Sequence, residues 1–218
     1  MPAGPAAAPL SWSLVVPVKL LAQAKTRLAA LAGPRRPALA LAMAADTVAA
    51  ALACPGVARV IVVTDDPRAR RALAAVGAIV TPDAPGSGLN PALRHGAALA
   101  AARWPGSGVA ALTADLPALR PAELARFLRA ASRWQQAFVA DTAGSGTTVY
   151  TARPGASFSP QFGAGSARRH RAAGAAEVTA PGLASLRRDV DAPADLREAA
   201  GLGLGPRTAA LAAHLALA

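Results

Sequence analysis

The chain has 218 residues, a size at which one domain with a full core is the default, and 23 basic against 12 acidic residues give it a net charge of +11. A single cysteine, Cys54, excludes an internal disulfide framework and makes no zinc site by itself. No run approaches the roughly 18 apolar residues of a membrane helix, and residues 1–10 lack a signal-peptide pattern. They read as a disordered tail before one domain at 11–218, in a cytoplasmic protein.

In chain order, a buried-strand run (Leu14, Val15, Val16, Val18) leaves into a loop carrying Lys19, Lys25 and Arg27. Leu28 and Leu31 then begin a helical spacing that Gly33-Pro34 ends. These are the only two lysines among 23 basic residues, and a compact ammonium suits a point contact to phosphate. Pro37 to Leu52 carries an amphipathic stripe, and 57–64 is a β-branched run typical of a buried parallel strand. Asp66-Pro67 reads as an N-cap and first helical position for a helix ending at Gly77. A short strand AIV follows, then a turn-rich loop (81–90), and Asn90-Pro91 starts a helix to Trp104. VAALT (109–113) is a fourth strand, running into Asp115. A helix from Pro121, strands AFVA and TTVYT, an irregular segment (157–170) entering a short basic helix, and a strand over 177–186 come next. Helices from Ala194 and Pro206 close the chain. This alternation predicts an open, mostly parallel α/β sheet with helices on both faces, binding ligands beyond the carboxyl ends of its strands.

Carboxylates follow strands at Asp65/Asp66, Asp115 and Asp189/Asp191. Capping explains Asp66 and Asp191. Nothing local requires a charge at Asp115, and Asp115 with Asp189 could share a Mg²⁺, which takes oxygen ligands and keeps room for substrate phosphate. His95, His170 and His214 lack metal spacing and read as surface or capping residues, and Cys54 as a small buried hydrophobe. Gly144, Gly146, Gly163 and Gly165 flank Thr147, Thr148 and Ser166, a composition that suits either ordinary turns or close backbone approach to an anion. Gly-x-Ser-x-Gly, Walker and Gly-x-Gly-x-x-Gly motifs are absent. The arginines are scattered, with even the clustered ones (Arg35-Arg36, Arg70-Arg71, Arg168-Arg169-Arg171 and Arg187-Arg188) in four separate segments, and one tyrosine and four phenylalanines are available for stacking, so a nucleic-acid partner is not expected. Nucleotidyl transfer to an already ionised phosphate fits this set, because it needs no protein nucleophile or base.

Taken in order, VPVKLLAQAKTRL, VIVVTDD, LNPALRHG, LTADLPAL, GSGTTVY, FGAGSARRH and DVDAPADL resemble the phosphoenolpyruvate / 2-phospho-L-lactate guanylyltransferases of coenzyme F-420 biosynthesis. The likeness spans Leu14 to about Ala213. It implies a single domain of nucleotide-diphospho-sugar-transferase (glycosyltransferase-A-like) type, with GTP and phosphoenolpyruvate as substrates and enolpyruvyl-diphospho-guanosine and pyrophosphate as products. It also implies acceptor contacts at Thr147, Gly163 and Ser166, Mg²⁺ on Asp115 and Asp189, and a triphosphate facing Lys19, Lys25 and Arg27. Asp115, Lys25 and Lys19 would then be the catalytic set, and the product would pass to the next transferase of the pathway. Thr148 for Thr147, Asp191 for Asp189, and phospholactate or 3-phosphoglycerate as acceptor remain alternatives. So does a non-catalytic basic nucleotide- or RNA-binding protein. Asn90 is a candidate base contact that capping explains equally well. The chain departs from the family pattern at Ala192, where threonine is common, and lacks the glycine-rich first loop of broader nucleotidyltransferases.

Overall fold

The computed structural model describes residues 10–215. Most of the expected N-terminal tail lies outside the described residues, but Leu10 already packs against the core. The first strand, β1 (Trp12–Pro17), lies between β2 (Val57–Val63) and β4 (Gly108–Leu112), parallel to both. Outside β2 runs β3 (Ile79–Thr81). Beyond β4 come β6 (Thr147–Ala152), β5 (Gln136–Ala140) and β7 (Ala176–Glu177), so the order is β3-β2-β1-β4-β6-β5-β7. Only β6 is antiparallel to its neighbours. The sheet is therefore mostly parallel, as expected.

Period-two alternation sorts the strand residues into two cores. Leu14, Val16, Val60, Val62, Ala110, Leu112 and Val139 face one side, beneath α2 (Arg36–Leu52), α3 (Pro67–Val76) and α5 (Pro121–Ala131). Val15, Ile61, Val63, Ala111, Phe138 and Tyr150 face the other, beneath α4 (Leu89–Arg103) and α6 (Ser166–Ala172). Helices cover both faces. Asp66 caps α3 as read, its Oδ1 accepting from Arg68 N and Ala69 N at 2.9 Å. Cys54 is buried, and burial pushes its thiol up to about 11. No helix among the described residues is long and apolar enough to cross a membrane.

Several expectations need correction, although the cationic loop does enter a short helical stretch that ends at Gly33, as read. It passes through a 3-10 turn (Thr26–Leu28), the four-residue α1 (Ala29–Ala32) and a second 3-10 turn (Gly33–Arg35) into α2. Left-handed backbone at Lys25 and Gly33, with φ of 54° and 49°, breaks the helix at both ends. The strand expected over 177–186 ends at Glu177. Pro181-Gly182 turns the chain, Arg126 donates to both their carbonyls, and α7 (Ala184–Arg187) docks on α5 through Ser185 N to Glu123. Helix α4 begins at Leu89 with Gly88 in the capping position. The last two helices are α8 (Pro193–Leu202) and α9 (Pro206–Ala212), the latter stopping short of the C-terminus.

Candidate active site

From β1 the chain moves outward to β2 and β3, then returns to the other side of β1 to form β4. That reversal makes a crevice between the carboxyl ends of β1 and β4, the switch point at which open α/β sheets bind ligands. Because β6 runs antiparallel, its first residue lies at this same edge, with Thr113 N donating to Thr148 O at 3.0 Å. The result is a cleft of about 680 Å³.

One wall is the loop after β1. Leu21 N donates to Asp66 Oδ2 at 2.9 Å, and Arg36 donates to the carbonyls of Ala22 and Ala24. Held from both sides, the loop keeps Lys25 in the left-handed region, a conformation costing a non-glycine residue about 1 kcal/mol or more. This aims the Lys25 ammonium between Asp115 and, at 2.6 Å, Asp191. Burial alone would depress that ammonium, but the two carboxylates hold its pKa above the ordinary lysine value. Lys19 and Arg27 line the same cleft from exposed positions.

The floor follows β4. Leu116 N donates to the buried Thr47 hydroxyl at 3.1 Å, and Val190 N donates to Asp115 O at 3.0 Å. These bonds bring the 189–191 segment beside Asp115. Oδ2 of Asp115 meets Lys25, whereas Oδ1 is buried without a partner among the described residues. Burial, then the charges of Asp115, Asp191 and Asp141, pushes the Asp189 carboxyl up to about 7. Asp191 is more exposed, and Lys25 holds it below the ordinary range against the opposing effect of burial. Asp191 does not cap α8. Asp195, in the first turn of α8, accepts from Asp191 N and Ala192 N, and Ala192 at the N-cap supplies no side-chain acceptor.

The opposite wall is built of small residues. Asp141 accepts from Ser145 N and Gly146 N, and a Cβ on Gly146 would stand 2.3 Å from its Oδ2. Neighbouring strand residues point to opposite faces, and this separates the two threonines. Thr148 donates to Leu186 O at 2.7 Å, beneath the sheet, while Thr147 lines the cleft with Gly163, Gly165 and Ser166. Asn90 lies inside α4, where it commits both ends of its amide to Phe162, accepting from N at 2.8 Å and donating to O at 3.1 Å. It is not a cap, and its amide is occupied in shaping the 161–165 loop.

Sequence reasoning missed Asp141, whose only signal is the Gly-Ser-Gly turn after it. It also missed the pairing of Asp191 with Lys25. His170, expected at the surface or in a cap, is instead fully buried behind Thr147. Asp65 accepts from Asp83 N and is not among the cleft residues.

A family model described as the MobA-like NTP transferase domain matches residues 28–190. A Thermomonospora curvata protein named phosphoenolpyruvate guanylyltransferase is 65% identical over 208 residues, covering 95% of this chain and 91% of the relative. One of the same name from Streptomyces coelicolor is 60% identical over 210 residues, covering 96% and 99%. Among solved structures, a Desulfovibrio desulfuricans G20 protein titled as a nucleotide-diphospho-sugar transferase superposes with a TM-score of 0.61 at 16% identity, over 88% of this chain and 96% of that one. A CMP:2-keto-3-deoxy-manno-octonic acid synthetase complexed with CTP gives 0.56 at 18%, over 88% and 98%. Those identities speak to fold alone, and the fold is the nucleotide-diphospho-sugar-transferase type expected above. By its sequence the chain belongs to the MobA-like NTP transferases and, within them, to the phosphoenolpyruvate guanylyltransferase family.

Proposed function

We propose that the protein transfers GMP from GTP to the phosphate of phosphoenolpyruvate, releasing pyrophosphate. The name shared by its close relatives supports the choice of substrates. The observation that carries the chemistry is a single cleft with a lysine–carboxylate cluster on one side and a glycine and hydroxyl wall on the other. In the reaction an acceptor phosphate oxygen attacks the α-phosphorus of GTP, the new P–O bond forms, and the α–β bridging P–O bond breaks with its electrons leaving on pyrophosphate. The acceptor is already ionised near neutral pH, since its second pKa is about 6, so no protein base is needed.

Lys25 has three N–H donors, and two are held by Asp115 and Asp191. The third is available to a phosphate oxygen, as are the exposed Lys19 and Arg27, where they offset the charge of the triphosphate. Asp115 and Asp189 suit Mg²⁺. Asp115 Oδ1 is buried and unpartnered, Asp189 is crowded by like charge, and all the donors are hard oxygens. With two carboxylates as its protein ligands, such an ion would take water and substrate phosphate oxygens as the rest. Such an ion supplies positive charge at the α-phosphate and the leaving group. Thr147, Ser166 and the backbone around Gly163 would hold the acceptor. The resemblance extends the reading to coenzyme F-420 biosynthesis, with the labile product handed to the next transferase.

The test is pyrophosphate release over the four nucleoside triphosphates with phosphoenolpyruvate, 2-phospho-L-lactate and 3-phosphoglycerate, with the downstream transferase present and absent. GTP with phosphoenolpyruvate should be the best pair, and Asp115→Asn should lower turnover about 100-fold or more while the protein stays folded. Faster turnover with another acceptor reassigns the substrate. No pyrophosphate from any combination ends the enzyme reading.

A further inference from the structure

A buried histidine with both ring nitrogens engaged stands directly behind the proposed acceptor wall. His170 lies in α6 at 0% exposure. Its Nε2 is 2.9 Å from Gln161 N, and a backbone amide can only donate. The lone pair is therefore on Nε2 and the proton on Nδ1. Nδ1 is 3.0 Å from the Thr147 hydroxyl, so the histidine donates to Thr147 Oγ1. Ser166 Oγ donates to the same oxygen at 3.1 Å. Both lone pairs of Thr147 Oγ1 are thereby used. What remains is its O–H, which has no acceptor among the described residues and belongs to a side chain lining the cleft.

We propose that His170 is a positioning residue for the acceptor subsite, locking the Thr147 hydroxyl as a donor into the cleft so that this wall selects an anionic, acceptor-only group on the substrate. A carboxylate or phosphate oxygen satisfies such a hydroxyl with a charge-assisted bond and an alcohol oxygen accepts from it less strongly, whereas an amide or ammonium N–H at the same point leaves two donors facing each other. The inference rests on the reading above, in which Thr147 and Ser166 meet the acceptor rather than the nucleotide.

The packing around the ring points the same way. Tyr150 stacks on it at 4.7 Å and 21°, Phe162 meets it edge-on at 5.7 Å, and Phe138 lies 5.4 Å away. These contacts fix the ring plane, so the direction of the Nδ1–H is set by the core and not by the ligand. Burial, then the charge of Arg169, lowers the imidazole to about 4, which keeps it neutral and the tautomer constant near neutral pH. The same helix shapes the loop it serves: Arg169 donates to the carbonyls of Gln161 and Ala164, and Ser166 N donates to Gly163 O.

The experiment compares steady-state constants for GTP and phosphoenolpyruvate in wild type, His170→Phe, His170→Asn and Thr147→Val, with melting temperature recorded for each. His170→Phe keeps the aromatic packing and removes the Nδ1 donor; it should raise KM for phosphoenolpyruvate about tenfold and leave KM for GTP within about twofold. His170→Asn keeps a donor near Nδ1 and should restore most of the loss. Adding His170→Phe to Thr147→Val should cost little more, because the histidine acts through that hydroxyl. If Thr147→Val raises the acceptor KM and His170→Phe does not, or if His170→Phe raises both KM values equally, the positioning role is overturned. If Thr147→Val itself leaves the acceptor KM unchanged, the subsite assignment fails instead. Should His170→Phe not fold, His170→Gln replaces it, since glutamine places its amide near Nε2 and not Nδ1. An asparagine variant no better than the glutamine one then overturns the proposal.

Discussion

Lys25 is the only non-glycine residue among those described with a positive φ, at 54°, and that backbone places its ammonium between two carboxylates. Strain of this kind persists only where the surroundings over-determine it, here Asp66 and Arg36 on either side of the loop. Lys25→Ala should raise KM for GTP about tenfold or more and leave KM for phosphoenolpyruvate nearly unchanged, read from initial rates at saturating partner substrate. An equal rise in both would return Lys25 to a purely structural role. The residues legible in advance were those whose type had no local excuse: the two lysines of an arginine-rich chain, and Asp115 at a strand end with no helix to cap. Illegible were those defined by partners far along the chain. His170 is explained by Thr147, 23 positions earlier, and Asp191 by Lys25, 166 earlier. A threonine pair is ambiguous until the sheet says which face is wet, and Leu186 O settles it for Thr148.

At the scale of elements, the C-terminal helix shows how distant segments are fastened. Asp46, in mid-α2 with its side chain 2% exposed, accepts from Thr208 N at 2.7 Å and from Arg207 N at 3.3 Å, capping α9 from another helix. Asp46→Ala leaves those amides unpaired in a buried place and should cost about 1–3 kcal/mol, or roughly 2–10 °C in melting temperature for a domain this size. Limited proteolysis should then cut first near α9, while turnover of the folded fraction is preserved. Sequence periodicity found the sheet strands other than β7 and every long helix, because those carry their own apolar spacing. It failed at 177–186, where Val178, Leu183 and Leu186 look like a strand's apolar set but are buried from a turn and a short helix. Arg126 and Glu123 impose that shape from α5, and neither lies nearby in sequence.

For the molecule as a whole, the cleft concentrates like charge, and this ties stability to pH. Asp189 stands at about 7 in the folded protein against about 3.9 for an unhindered aspartate. A carboxyl raised on folding lends stability that is complete below the unfolded value and lost as pH rises through the folded one. The metal-free melting temperature should therefore fall between about pH 4 and pH 7 on this account, and Asp189→Asn should flatten that fall. On the proposal that Asp115 and Asp189 hold Mg²⁺ in their ionised form, adding it should raise the melting temperature more at pH 8 than at pH 6. A shift independent of pH, or retained in Asp189→Asn, would remove Asp189 from the ion. The antiparallel β6 has an effect of another kind. Since β5 ends and β6 begins at the same edge, the acceptor wall is one hairpin and the helix after it, a continuous stretch from about 136 to 172, whereas the loops after β1 and β4 come wholly before it. On the proposed reading the acceptor residues form one block of the chain, between the exposed turns at 133–135 and 173–174, while Asp189 and Asp191 return to the nucleotide side from beyond it. That block is exchangeable only by two crossovers, one at each turn, which leave Asp189 and Asp191 with Lys25 and Asp115.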